Sequence, residues 1–229
     1  MTTVQANVYR QVREHLLAGR WDSGEKLSEL KLAEEFGVNR NPIREALLKL
    51  TSEGLLERQA GIGCRVPQWN IEAITDMYQL REVLEGQAAR LAIPRISRAE
   101  LEQLAEEAGV CANFLEQGND AQAIPADNQF HRHLVQLSGN QALVHAWETN
   151  HVRALFRNDL REESTRGEAV PRRDPKIAIE AHRRIVEALR KGDPDEAEDA
   201  ARQHVRTALA DFAEIHARDP TWLVETQAA

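Results

Sequence analysis

Only two of the 229 residues are cysteine, Cys64 and Cys111, and they lie far apart in the chain. This excludes a disulfide framework and a CxxC site, and it fits a reducing compartment such as the cytoplasm. Long apolar runs are lacking too. No stretch approaches the roughly 18–20 apolar residues that cross a bilayer, and the opening MTTVQANVYRQ has no apolar core of an export signal. There is no internal repeat and no low-complexity tract. A nucleophile elbow, an HExxH pair and a phosphate-binding glycine loop are all absent, so the common sequence grounds for an enzyme are missing. Basic charge is in deficit as well. The formal net charge of -8 argues against a generic nucleic-acid coat.

What is present is a globular composition, 42% hydrophobic and 29% charged. The charge is uneven. Residues 1–70 carry ten Lys and Arg against nine Asp and Glu, a net +1, which leaves -9 for the remainder. A small anion-facing module joined to a larger acidic one fits that asymmetry.

The first 67 residues change pattern twice. Val8, Val12, Leu16 and Leu17 recur at helical spacing, and Gly19 ends that helix. A short helix fits Ser28 to Phe36, Gly37 turns the chain, and Asn39 stands where a cap for a third helix belongs. Ile43, Ala46, Leu47 and Leu50 share one face of this third helix, and Gly54 stops it. Two short apolar segments then flank Ala60-Gly61-Ile62-Gly63, the pattern of a hairpin. Three helices and a hairpin predict a winged helix-turn-helix over residues 1–67, followed by a linker at 68–70. Arg40 and Arg44 lie one turn apart on the outward face of the third helix, where a guanidinium can bond a guanine edge or clamp a phosphate. The competing reading is a solvated face with arginine–glutamate pairs.

Residues 9–66 resemble the GntR family of bacterial transcription regulators. The resemblance is carried by Tyr9, by GEKLSELKLAEEFGVNRNPIREAL, by Glu53-Gly54-Leu55-Leu56 and by the glycine-bearing wing that ends at Val66. It implies that Asn39, Arg40 and Arg44 contact DNA and that Gly61 forms the wing tip. A basic position of some members on the second helix is Leu30 here, with Lys31 beside it. Lys26, Lys31, Lys49, Arg58 and Arg65 are suited to phosphate contacts, which add affinity without sequence information. One such module reads a short half-site, so a homodimer on a palindromic operator in double-stranded DNA is expected.

From residue 71 to about 218 the patterns are helical throughout, at 71–92, 98–117, 126–138, 140–162, 175–190 and 194–217. Residues 163–174 read as a loop and 219–229 as a tail. Ser97 with Glu100, and Asp193 with Glu196, give capping-box starts. Six helices without strands predict an antiparallel all-helical bundle and a mainly α fold. Within DNQFHRHL, the inward stripe is Phe130, Leu134 and Leu137. Asp127 and His131 fall on or beside it, whereas His133 sits about 200° from His131 and points away. His182 shares a face with Ile185, Val186 and Leu189, and His204 shares one with Ala201, Val205 and Phe212. A lone inward histidine is usually a core residue bonded to backbone. Three of them with a carboxylate are explained together by one divalent cation with three nitrogen ligands and one oxygen ligand.

Residues 71–217 are similar to the FCD effector domain of the FadR branch, through LREVLEGQAARLA, DNQFHRHLVQLSGN and EAHRRIVEALRKGDPDEAEDAARQH. In metal-binding, VanR-like members those positions supply an Asp and a His four apart and a His from each of two later helices. The resemblance therefore implicates Asp127, His131, His182 and His204, with zinc, nickel or manganese as the metal. It also implies a small carboxylate or sugar-acid effector. Arg81, on a stripe with Met77, Leu84 and Ala88, is a candidate to bind that carboxylate bidentately. An intrahelical pair with Glu85 is the alternative. Three functions remain in competition at this stage. They are an effector-controlled regulator (a repressor or an activator), a regulator that senses the metal itself, and a metal-dependent enzyme built on the same four residues.

Overall fold

The computed structural model describes residues 3–17, 20–22, 24–59, 63–67, 71–155 and 174–218, with the side chains at 17, 71, 120, 151–155 and 215–218 outside that description. The chain divides into two compact units, with a break between Asn70 and Ile71.

The N-terminal unit runs α1 (Thr3–Leu17), β1 (Lys26–Leu27), α2 (Glu29–Glu35), α3 (Arg40–Ser52), β2 (Glu57–Gln59) and β3 (Gly63–Arg65). Val8, Val12 and Leu16 of α1 are buried against Ile43, Ala46, Leu47 and Leu50 of α3, as their spacing requires. Ser28 caps α2 by accepting from the Lys31 N–H. Gly37 takes φ +63 in the turn between α2 and α3, a left-handed conformation that a side chain would strain. The sheet has one strand more than the expected hairpin. β3 pairs antiparallel with both neighbours in the order β1-β3-β2, matching Leu27 to Cys64 and Arg58 to Cys64. Two residues are too few to show alternation, so β1 left no periodic signal. Asn39 occupies the cap position of α3 but makes no side-chain cap bond. The wing tip at 60–62, which includes Gly61, lies outside the described residues.

The C-terminal unit contains α4 (Ile71–Ala92), α5 (Arg98–Glu116), α6 (Asp120–Leu137), α7 (Gln141–Leu155), α8 (Pro175–Lys191) and α9 (Pro194–Arg218). α4 lies against α6 and α9, while α5 lies against α6 and α8. Phe130, Leu134, Ile185, Leu189, Ala197 and Ala201 are buried between them, and Trp147 fills a second cluster with Ala88, Val135 and Leu143. The Ser97–Glu100 capping box is complete. At the start of α9, Asp193 accepts from the Glu196 N–H, but the Glu196 carboxylate turns to Lys191 at 2.5 Å instead of closing the box. α6 begins six residues before the expected 126. Asn119 caps it through the Gln122 N–H, and Pro125 is carried inside the second turn. The proline forfeits one backbone bond there, while the added turn buries Ala123. Residues 156–162 of the expected 140–162 helix, residues 163–173 of the expected loop, the linker at 68–70 and the tail all lie outside the described residues. α4 and α9 approach closely at Gly86, where a Cβ would meet Arg202 Cγ at 2.6 Å.

Candidate metal centre and nucleic-acid interface

α6 presents Asp127 and His131 one turn apart, α8 presents His182 and α9 presents His204. Each ligand sits in the phase of its helix's buried stripe, which is why three separate helices aim them at one point. One ligand atom from each of the four lies within 4.8 Å of the others. His131 Nε2 and His204 Nε2 face each other at 3.0 Å. Asp127 Oδ1 stands 3.2 Å from His182 Nε2 and 3.7 Å from His131 Nε2. The three imidazoles are buried, and about a third of the Asp127 side chain is exposed (34%). The Phe130 ring closes one side, 4.4 Å from the His182 ring between centroids.

Polar bookkeeping tests whether these residues fit a cation. Neither nitrogen of His182 makes a hydrogen bond, nor does His204 Nδ1. Buried, unpartnered ring nitrogens are costly, and no backbone carbonyl satisfies them. Three imidazole nitrogens and a carboxylate oxygen form a donor set for a borderline divalent ion. The residues fit.

Charge is arranged to match. Burial drives His204 well below the ordinary imidazole range, and the nearby His182 and His131 push the same way. Burial likewise lowers His182, against the opposing pull of Asp127. Burial raises the Asp127 carboxyl, but His131 and His182 outweigh it and hold the group well below the usual carboxylate range. For His131, burial lowers the imidazole, yet Glu85 and Asp127 prevail and carry it to about 9.

Glu85 of α4 is the residue the sequence reading underused. It is fully buried, accepts from Trp147 Nε1 at 2.9 Å and from Arg81 Nε, and its other oxygen is 2.8 Å from His131 Nδ1. Its inward phase beside Ala88 and Ala89 was the available signal. Arg81 is itself buried, and its guanidinium is engaged by Glu85, the intrahelical alternative raised above. A cavity of about 680 Å³ opens elsewhere, where α8 and α9 meet the end of α5. Its lining includes His204, Lys176, Arg184, Gln203, Thr207 and Glu116, and Arg81 is not among the lining residues. His133 points away from the cluster and bonds Glu107 of α5 at 2.9 Å.

In the N-terminal unit, Asn39, Arg40, Arg44, Lys31, Lys49 and Arg58 are all exposed. Arg44, Lys31 and Arg58 make no ion pair among the described residues. Arg40 stands 3.7 Å from Glu29, a contact across α2 and α3. Lys49 lies over the Tyr9 ring at 4.0 Å and near Glu53 at 3.9 Å.

Residues 4–66 match the family model described as bacterial regulatory proteins of the gntR family, and residues 76–207 match the FCD domain. The chain is a GntR-family regulator. Among curated relatives of this regulator, the probable D-xylose utilization operon transcriptional repressor of Paenarthrobacter nicotinovorans is 30% identical over 91% of the chain and 88% of its own length. The HTH-type transcriptional repressor RspR of Escherichia coli is 26% identical, covering 97% and 94%. The fold matches that of E. coli McbR/YncC with a TM-score of 0.76 at 22% identity, over 93% of this chain and 99% of that one. These relatives are transcriptional regulators, not enzymes. Among the described residues, no helix is long and apolar enough to cross a membrane.

Proposed function

We propose that this GntR-family regulator is a cytoplasmic repressor that binds a palindromic operator as a homodimer and is controlled by a small organic acid at a metal-containing effector site. The observation that carries this reading is the buried Asp127, His131, His182 and His204 cluster, with His204 also lining the open cavity. These four residues would hold the ion, which when bound supplies a positive, oxygen-seeking centre. Lys176 and Arg184 offer an acid's carboxylate further cationic partners. Control then requires that the effector bind two conformations of the protein unequally. On the DNA side, Arg44 is the most available base-reading side chain, with Asn39 and Arg40 beside it. Lys31, Lys49 and Arg58 supply phosphate contacts.

A duplex selected from a random pool provides the operator for a test. Zinc, nickel, manganese and a panel of small carboxylates and sugar acids are titrated separately and together against the complex. Release that needs both metal and an acid supports the proposal. Release by metal alone would make the ion the signal, and turnover of the acid would revive an enzyme. Arg44→Ala is expected to lose sequence preference, costing about 1–3 kcal/mol of discrimination at the contacted base, while His204→Ala loses metal but keeps operator preference. Unchanged preference in Arg44→Ala would move base reading away from α3.

A further inference from the structure

We propose that Glu85 is a positioning residue of the metal centre, in which its Oε2 holds the Nδ1 edge of His131 so that Nε2 is the atom His131 offers to the cation. This inference rests on the metal-binding reading above. Glu85 comes from α4, a helix that contributes none of the four candidate ligands, and it is completely buried. Its two oxygens are divided between two tasks. Oε1 accepts from Trp147 Nε1 at 2.9 Å and from Arg81 Nε. Oε2 lies 2.8 Å from His131 Nδ1, and neither of those atoms has a hydrogen bond elsewhere. The two atoms are within contact distance of each other without an aligned hydrogen bond. Each is the partner the other lacks.

The opposite edge of the same ring faces the cluster, with His131 Nε2 at 3.0 Å from His204 and 3.7 Å from Asp127. A neutral imidazole keeps one nitrogen protonated and offers a lone pair at the other. A buried carboxylate at Nδ1 retains the proton there and leaves Nε2 for the metal. Arg81 neutralises that carboxylate and Trp147 fixes its orientation. In this way α4 and α7 acquire a hold on the metal centre without supplying a ligand. α4 is also the helix that follows the N-terminal unit in the sequence.

Glu85→Gln tests this with the shape retained. If the amide oxygen stays with Trp147 and Arg81, the NH2 meets His131 Nδ1, demands a lone pair there and moves the proton to Nε2. Zinc is titrated into the metal-free full chain in competition with a chromophoric chelator. The expected result is zinc binding about 10–100-fold weaker than wild type, with His204→Ala as the control that the titration reads this cluster. 15N-histidine NMR of the zinc-loaded wild-type protein supplies a readout that packing alone would not move. His131 is expected to coordinate through Nε2 with a protected Nδ1–H, a result independent of whether Glu85→Gln folds. Trp147→Phe keeps the carboxylate and removes one of its anchors, so a smaller loss with Nδ1–H retained is expected. Wild-type affinity in folded Glu85→Gln, or coordination of His131 through Nδ1, overturns the role of Glu85 and leaves the metal reading standing. Zinc binding absent from the wild type, or undiminished in His204→Ala, overturns both.

Discussion

Tyr9 joins two helices through a single hydroxyl. It donates to Glu53 at the end of α3, 2.7 Å from Oε2 and 2.9 Å from Oε1. Burial, reinforced by the Glu53 carboxylate, pushes the phenol from its ordinary 10 up to about 12. Because the folded value lies above the unfolded one, the bond's contribution is complete below pH 10 and is lost as pH rises through 12. Ultraviolet titration of the wild type minus Tyr9→Phe is expected to show a phenolate midpoint near 12, with the N-terminal unit losing stability over the same window. A midpoint near 10 would mean the hydroxyl is free of Glu53. At this scale the sequence was informative where phase decides. Asp127, His131, His182 and His204 were each legible from the apolar neighbours on their own helix. Glu85 shares that inward phase, but its role was not legible, because its three partners come from one position on its own helix and two others far along the chain. Only Arg81, four residues away, is visible in the sequence.

α4 and α9 lie against each other through a glycine and an ion ladder. Arg202 crosses at Gly86, bonding Glu198 at 2.9 Å and reaching Glu82 at 3.4 Å, while Arg206 reaches Glu82 at 2.8 Å. The atom a new Cβ would strike is Cγ, close to the Arg202 backbone, so the whole side chain has to leave. Gly86→Val is expected to destabilise the metal-free protein by about 1–3 kcal/mol, read as a fall in Tm of a few degrees. Gly109→Ala, with open space at its Cβ, serves as the tolerant control. An unchanged Tm in Gly86→Val would show that the helices can part there without cost. Helix existence was legible for all six elements because long amphipathic stripes are redundant signals. Boundaries and short elements were less so. The start of α6 depends on whether Asn119 or Pro125 governs, and β1 is defined by its partner Cys64 and Arg65, not by its own two residues.

For the molecule as a whole, the proposed palindromic operator would make self-association the central requirement. α4 also carries Leu80 and Val83, 47% and 49% exposed, beside Leu84 and Leu91, which pack against the Trp147 cluster. A helix that is apolar on two sides has a second neighbour to find. Leu80→Glu with Val83→Glu is expected to sediment as a folded monomer and to bind the palindromic duplex at least tenfold more weakly. A dimer surviving both changes would place the interface elsewhere. The proposed assembly on DNA would also complete something the free chain leaves open. Asn39 sits at the cap of α3 without capping it, and Pro42, at the third helical position, has no N–H for that side chain to reach. The first turn of α3 thus has no side-chain cap. A DNA phosphate at that end would act as the missing cap, so the helix that reads the operator would be finished by the operator, and part of the binding free energy would appear as order in the protein.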